Sequence, residues 1–154
     1  MLRRLALAAG ILAFTPAAAE EPRTQVWLNP GMLSQHFKHD QDYRETNYGL
    51  GLEVFPQPEH GLIAGSLINS NHERSRYVGY LWRPLQLPEK RVTYSAGLAF
   101  AVIDGYSNTR DGRAFPIALP TLSVEYGRLG AHLILIPHPK NASAIALQLR
   151  LRVW

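Results

Sequence analysis

From Arg91 onward the chain alternates without a break. Val92, Tyr94, Ala96, Leu98, Phe100 and Val102 fall on one face of a period-two pattern, and Thr93, Ser95, Gly97, Ala99 and Ala101 on the other. The last segment repeats the pattern: Ile145, Leu147, Leu149, Leu151 and Val153 alternate with Ala144, Ala146, Gln148, Arg150 and Arg152. Both runs are longer than an ordinary globular strand and match the roughly 9 to 11 residues that a tilted strand needs to cross a bilayer. The two arginines decide which face is which. A lipid-facing arginine at mid-depth costs about 2 to 4 kcal/mol, so the arginine face belongs inside and the unbroken Ile/Leu/Val row meets lipid.

Eight such segments are legible, at about 25–35, 46–55, 61–69, 76–83, 91–102, 117–127, 130–137 and 144–154. An even count matters, because backbone groups in hydrocarbon must all be paired and only a closed sheet has no edge. The expected fold is therefore all-β: an eight-stranded antiparallel transmembrane β-barrel of the outer-membrane type. The second segment agrees, with Tyr48, Leu50, Leu52 and Val54 facing out and Gly49, Gly51 and Glu53 facing in. A soluble eight-stranded ligand barrel would place its greasy side chains inside and its charges outside, the reverse of the last segment. Connections also alternate in length, with 56–60 and 128–129 short and 103–116 long, as periplasmic turns and surface loops do. The stretch 84–90 reads as a longer turn than this scheme expects.

Ahead of the first strand, Arg3 and Arg4, an apolar run at 5–14 and Ala17-Ala18-Ala19 before Glu20 have the three parts of a secretory signal peptide. The expectation is a signal at 1–19 and a single barrel domain at 20–154. Removing those two arginines leaves 14 Lys and Arg against 12 Asp and Glu, and the charges are scattered. No basic stripe forms, which argues against a nucleic-acid partner. Cysteine is absent, which excludes a disulfide framework, a thiol nucleophile and cysteine metal sites.

Strand direction carries the first functional signal. With the amino terminus in the periplasm, the first strand ends near His36 and the third at Asn69-Ser70, so all three share the outer rim. A serine hydroxyl is a weak nucleophile until a base takes its proton, and a histidine beside it is the minimum for acyl transfer. Ser and Asn are equally ordinary loop residues, and spacing alone leaves both readings open. His39 and His72 lie in polar loops, and His60, His132 and His138 are scattered, so no metal is warranted.

Inside the barrel, Ile117 and Leu119 are expected to join Gly97, Ala99 and Ala101 in apolar space toward the outer side. Glu53, Glu125, Arg150 and Arg152 would pair and close the other end. This describes either a pocket for one acyl chain or a small barrel filled with side chains. Pro120 and Pro137 cannot donate ladder hydrogen bonds. They either unzip the wall between the sixth and seventh strands or simply end the paired segments, and Pro30 invites the same two readings.

The stretches "YRETNYGLGLEV", "GLIAGSLINSN", "YVGYLWRPL", "YSAGLAF", "PIALPTLSVEYG" and "LILIPH" together resemble the PagP family of outer-membrane lipid A palmitoyltransferases, in the family's order and over nearly all of the mature chain. The resemblance implies a barrel that moves an acyl chain, palmitate or shorter, from a phospholipid to lipid A without a cofactor. It implies an outer-membrane location, a phospholipid donor and a lipid A acceptor. A monomer is expected, since a closed barrel needs no partner to complete its sheet. His36 and Ser70 match the family's histidine and serine, and Asn69 stands where the family has aspartate. Leu81 falls where the family carries a glycine at the floor of its acyl pocket, which implies a raised floor and a chain shorter than palmitate. Pro120 and Pro137 fall on family prolines that flank a lateral route into the barrel. The family's amphipathic helix ahead of the barrel has no counterpart in the short segment after Glu20. Beside the resemblance, the loop cations Lys38 and Arg110 are either contacts for lipid A phosphates or simply solvated charges. Two alternatives stand beside transfer: a phospholipase-like hydrolase barrel, and a non-catalytic lipid-binding or structural barrel.

Overall fold

A computed structural model describes residues 23–38, 42–137 and 143–154. The signal segment 1–19, His39 and His138 lie outside the described residues. Eight strands follow in chain order: β1 (Gln25–His36), β2 (Thr46–Gln57), β3 (His60–Ile68), β4 (Arg74–Glu89), β5 (Val92–Ile103), β6 (Phe115–Tyr126), β7 (Leu129–Ile136) and β8 (Ala144–Arg152). A four-residue helix, α1 (Ser107–Arg110), lies between β5 and β6. Each strand pairs antiparallel with its neighbour, and β1 pairs with β8, so the sheet closes on itself.

The alternation in the sequence becomes the inside and outside of this wall. Leu50, Leu62, Val78, Leu122 and Leu149 are exposed on the outer face, while their strand neighbours Gly51, Gly61, Tyr77, Thr121 and Arg150 turn inward or are buried. A belt of Leu and Val around the whole barrel is far more apolar surface than a water-soluble monomer leaves uncovered, and it is the lipid-facing band of a membrane barrel. Tight turns at 58–59, 90–91 and 127–128 close one end, and the longer connections all lie at the other.

The stretch 84–90 departs from the expected turn. β4 continues through Pro84 and Pro88 to Glu89, pairing Leu85 with Ala96 and Glu89 with Val92, and only 90–91 turn. A register shift between Trp82 and Leu85 absorbs the proline. It is possible because Gly97 lies opposite: a Cβ there would sit 1.8 Å from the Trp82 carbonyl oxygen. A second shift surrounds Pro30 in β1, where Gly31 takes φ 103° and lets the strand swing past Asn47.

One seam is short. β6 and β7 pair from Tyr126–Leu129 up to Thr121–Ile134 and no further. Above that point Pro120 pairs only toward β5, and Leu135 and Ile136 only toward β8. Pro120, on the lipid side, and Pro137, just past β7, border the unpaired stretch.

Candidate functional site

Direction parity carries His36 at the end of β1 and Ser70 just past β3 to the same rim, on the side of the long connections. Both line one cavity of about 560 Å³ that runs down the lumen. Its mouth also includes Tyr43, Asn71, Tyr106 and Pro137; its shaft includes Ala99, Ala101, Ile117 and Leu119; and Leu81, Glu53 and His132 lie at its deep end. Four of the six residues singled out from sequence, His36, Ser70, Leu81 and Pro137, thus border a single space. Asn69 lies behind its wall, and Pro120 faces lipid.

The rim is built by side-chain and backbone hydrogen bonds that tie three connections together. Asn69 is fully buried. Its Nδ2 donates to Ser75 Oγ at 3.0 Å and to the Gly105 carbonyl at 2.8 Å, while its Oδ1 accepts from the Asn71 and Glu73 amides at 2.9 and 3.0 Å. The side chain therefore closes its own loop and pins it to the loop after β5. Glu73 Oε2 reinforces the same pin by accepting from the Ser107 amide at 3.0 Å. Those Ser107 hydrogen bonds hold the Glu73 carboxyl below its ordinary range. On the other side the Arg44 amide donates to the Ser70 carbonyl at 2.9 Å. His36 is 8 % exposed and stacks on Tyr43, with ring centroids 4.1 Å apart and planes 10° from parallel. Burial pushes the Tyr106 phenol up to about 12, so at neutral pH it offers a hydroxyl and no charge.

Apolar packing ends the shaft. Leu81 is 2 % exposed and packs with Trp27, Phe55 and Ala99, with Ile63 and Leu119 against them. Below lies a buried ionic layer. Arg150 bonds Glu53 at 2.7 Å and also Glu125, Arg83 bonds Glu125, and His132 Nε2 lies 3.2 Å from Glu53. Ser123 Oγ is hydrogen-bonded to His132 Nδ1 at 2.6 Å. Arg83 and Arg150 also lie over the Phe55 and Trp27 rings, at 3.9 and 4.2 Å. Arg152, expected in this layer, is half-buried beside Trp27 instead.

The ionic layer includes three residues that sequence reasoning missed: Arg83, Ser123 and His132. A signal for them existed. Arg83 follows Tyr77, Gly79 and Leu81 at period two, and His132 lies between Gly130 and Ile134, both on inward parity. Lys38 and Arg110 are exposed beyond the rim, at the end of β1 and of α1.

Comparison with known proteins agrees with this architecture. The family described as "Antimicrobial peptide resistance and lipid A acylation protein PagP" matches residues 26–150. A "Lipid A acyltransferase PagP" of Laribacter hongkongensis (strain HLHK9) is 31% identical over 106 residues, 65% of this chain and 50% of that protein. The chain thus matches about half the length of that curated relative.

Proposed function

The chain belongs to the PagP family of lipid A acylation proteins, and from that membership we propose that it is an outer-membrane acyltransferase moving an acyl chain from a phospholipid to lipid A. Residues 1–19 are its export signal and 20–154 its single barrel domain, working as a monomer. The observation that carries this reading is the single cavity that joins His36 and Ser70 at its mouth to an apolar shaft ending on Leu81. An acyl chain in the shaft would leave its ester carbonyl at the rim, beside the two side chains able to handle a proton.

The reaction exchanges one ester for another. The phospholipid acyl–oxygen bond breaks, the same carbonyl carbon bonds to a lipid A hydroxyl, and the proton of that hydroxyl ends on the lysophospholipid oxygen. His36 takes and returns the proton, and Ser70 Oγ engages the carbonyl at the same rim. No cofactor is needed for the balance. Asn69 acts through the loops it ties together. The unpaired seam above Thr121 supports a lateral route for the chain, bordered by Pro120 and Pro137. Leu81 sets the floor, and the chain it selects is shorter than palmitate. Lys38 and Arg110 meet the phosphates of lipid A.

The test uses purified barrel in mixed micelles of phosphatidylcholine and lipid A. Lysophospholipid and acylated lipid A should appear in equal amounts and both should vanish in His36→Ala and Ser70→Ala. Free fatty acid accumulating at the same rate without lipid A would replace transfer by hydrolysis.

A further inference from the structure

With Asn69 fully engaged by the loops, another side chain stands against the imidazole at the rim. Tyr43 occupies that position. Its ring lies flat against His36, 4.1 Å between centroids and 10° from parallel, and both rings line the cavity mouth with Ser70. The backbone on either side of Tyr43 is tied to the serine's own loop. The Arg44 amide donates to the Ser70 carbonyl at 2.9 Å, and the Asp42 carbonyl is hydrogen-bonded to His72 Nε2 at 3.3 Å. A third tie, from the Ser34 amide to the Glu45 carbonyl at 2.7 Å, fixes the same stretch to β1 two residues before His36. One side chain therefore refers the position of His36 directly to the backbone that carries Ser70.

We infer that Tyr43 is a positioning residue that holds His36 in register with Ser70 for acyl transfer. The inference rests on the reading of His36 and Ser70 as the reacting pair. The physical reasons are two. A stacked ring removes the imidazole's freedom to turn about its χ2 bond, which is broad for histidine. The face of a tyrosine also accommodates the imidazolium that forms when His36 takes the acceptor's proton. Both act on the reacting geometry at the mouth and leave the apolar shaft down to Leu81 as it is, so the effect belongs to kcat and not to KM. Any aromatic ring should serve, since the contact with His36 is made by the ring face.

The experiment compares wild type with Tyr43→Phe, Tyr43→Trp, Tyr43→Leu and His36→Ala as full-length barrels in micelles of didodecanoyl phosphatidylcholine and lipid A. Heat-dependent gel mobility checks that each barrel is folded, and Tyr43→Met replaces Tyr43→Leu if the latter does not fold. The aromatic variants should keep kcat within about threefold. Tyr43→Leu should lower kcat on the order of 10- to 100-fold, the penalty of a reacting group displaced by about an ångström, with KM for the donor unchanged. Proton NMR supplies a readout independent of turnover: the His36 ring protons should show an upfield ring-current shift in wild type and Tyr43→Phe that disappears in Tyr43→Leu. Full kcat in Tyr43→Leu alongside an inactive His36→Ala would overturn the role of Tyr43 and leave the function intact. Full activity in His36→Ala would overturn the reacting pair itself, and the inference with it.

Discussion

Asn69 is the residue at which resemblance and geometry diverge most. A family aspartate at this position suggests that Asn69→Asp should raise activity. The hydrogen bonds argue the opposite, because a carboxylate cannot donate to the Gly105 carbonyl and would face it as a second acceptor. Asn69→Asp is expected to cost about 1 to 3 kcal/mol of stability and to lower transfer, measured by denaturant midpoint and lipid A acylation. Glu73 on the same loop gives a pH dependence. Its carboxyl is held low in the folded state by Ser107, so its contribution is present above the unfolded carboxylate's titration and is lost as pH falls through the lowered value. The protection of the Ser107 amide, its exchange rate relative to the intrinsic rate at each pH, should be lost over that acidic window, and Glu73→Gln should remove the dependence. Deeper in the shaft, Leu81→Gly should lengthen the chain that is transferred, read as an added mass on lipid A, at a stability cost of roughly 2 to 5 kcal/mol for the emptied core position. An unchanged chain length would remove Leu81 as the floor. The placement of His36, Asn69 and Ser70 on one rim was legible from strand direction alone. The stacking of Tyr43 was not, because it depends on how a loop folds back, which no period encodes.

Among the elements, β4 and the β6–β7 seam show where a period-two reading succeeds and where it stops. The alternation marks all eight strands, because a wall that is greasy on one side and packed on the other writes itself into every second residue. It misses the last third of β4 because Pro84 and Pro88 are read as turn residues, and the compensating glycine, Gly97, sits on a different strand. At the seam the same residue type was informative: Pro120 marks where the ladder with β7 ends. If the chain enters there, bridging the gap should block it. Extending the observed register would set Pro120 opposite Leu135, and the protein has no native cysteine to interfere. A Pro120→Cys, Leu135→Cys double variant closed by a short thiol-cleavable linker should lose transfer and regain it on reduction. Activity undiminished in the closed form would move the route elsewhere.

At the scale of the whole barrel, the lumen divides into a cavity open at the loop end and an ionic layer that seals the turn end. Sequence parity showed Glu53, Glu125 and Arg150 pointing inward, but their partners Arg83 and His132 come from strands whose approach across the lumen depends on closure and register. The layer is a single network in which Arg150 is shared between two carboxylates. Removing Glu53 as Glu53→Gln should cost on the order of 3 kcal/mol, the penalty for leaving a buried charge partly uncompensated, with the added chain length unchanged. A barrel that is apolar outside, sealed below and open at a rim bearing His36 and Ser70 fits the acyl transfer proposed for it. The most direct test is the mass of lipid A from a Gram-negative host lacking its own palmitoyltransferase, expressing either this protein or its Ser70→Ala variant. A single added acyl mass, smaller than palmitoyl and absent with the variant, is the expected result. A folded, membrane-inserted wild-type barrel that leaves lipid A unchanged would contradict it.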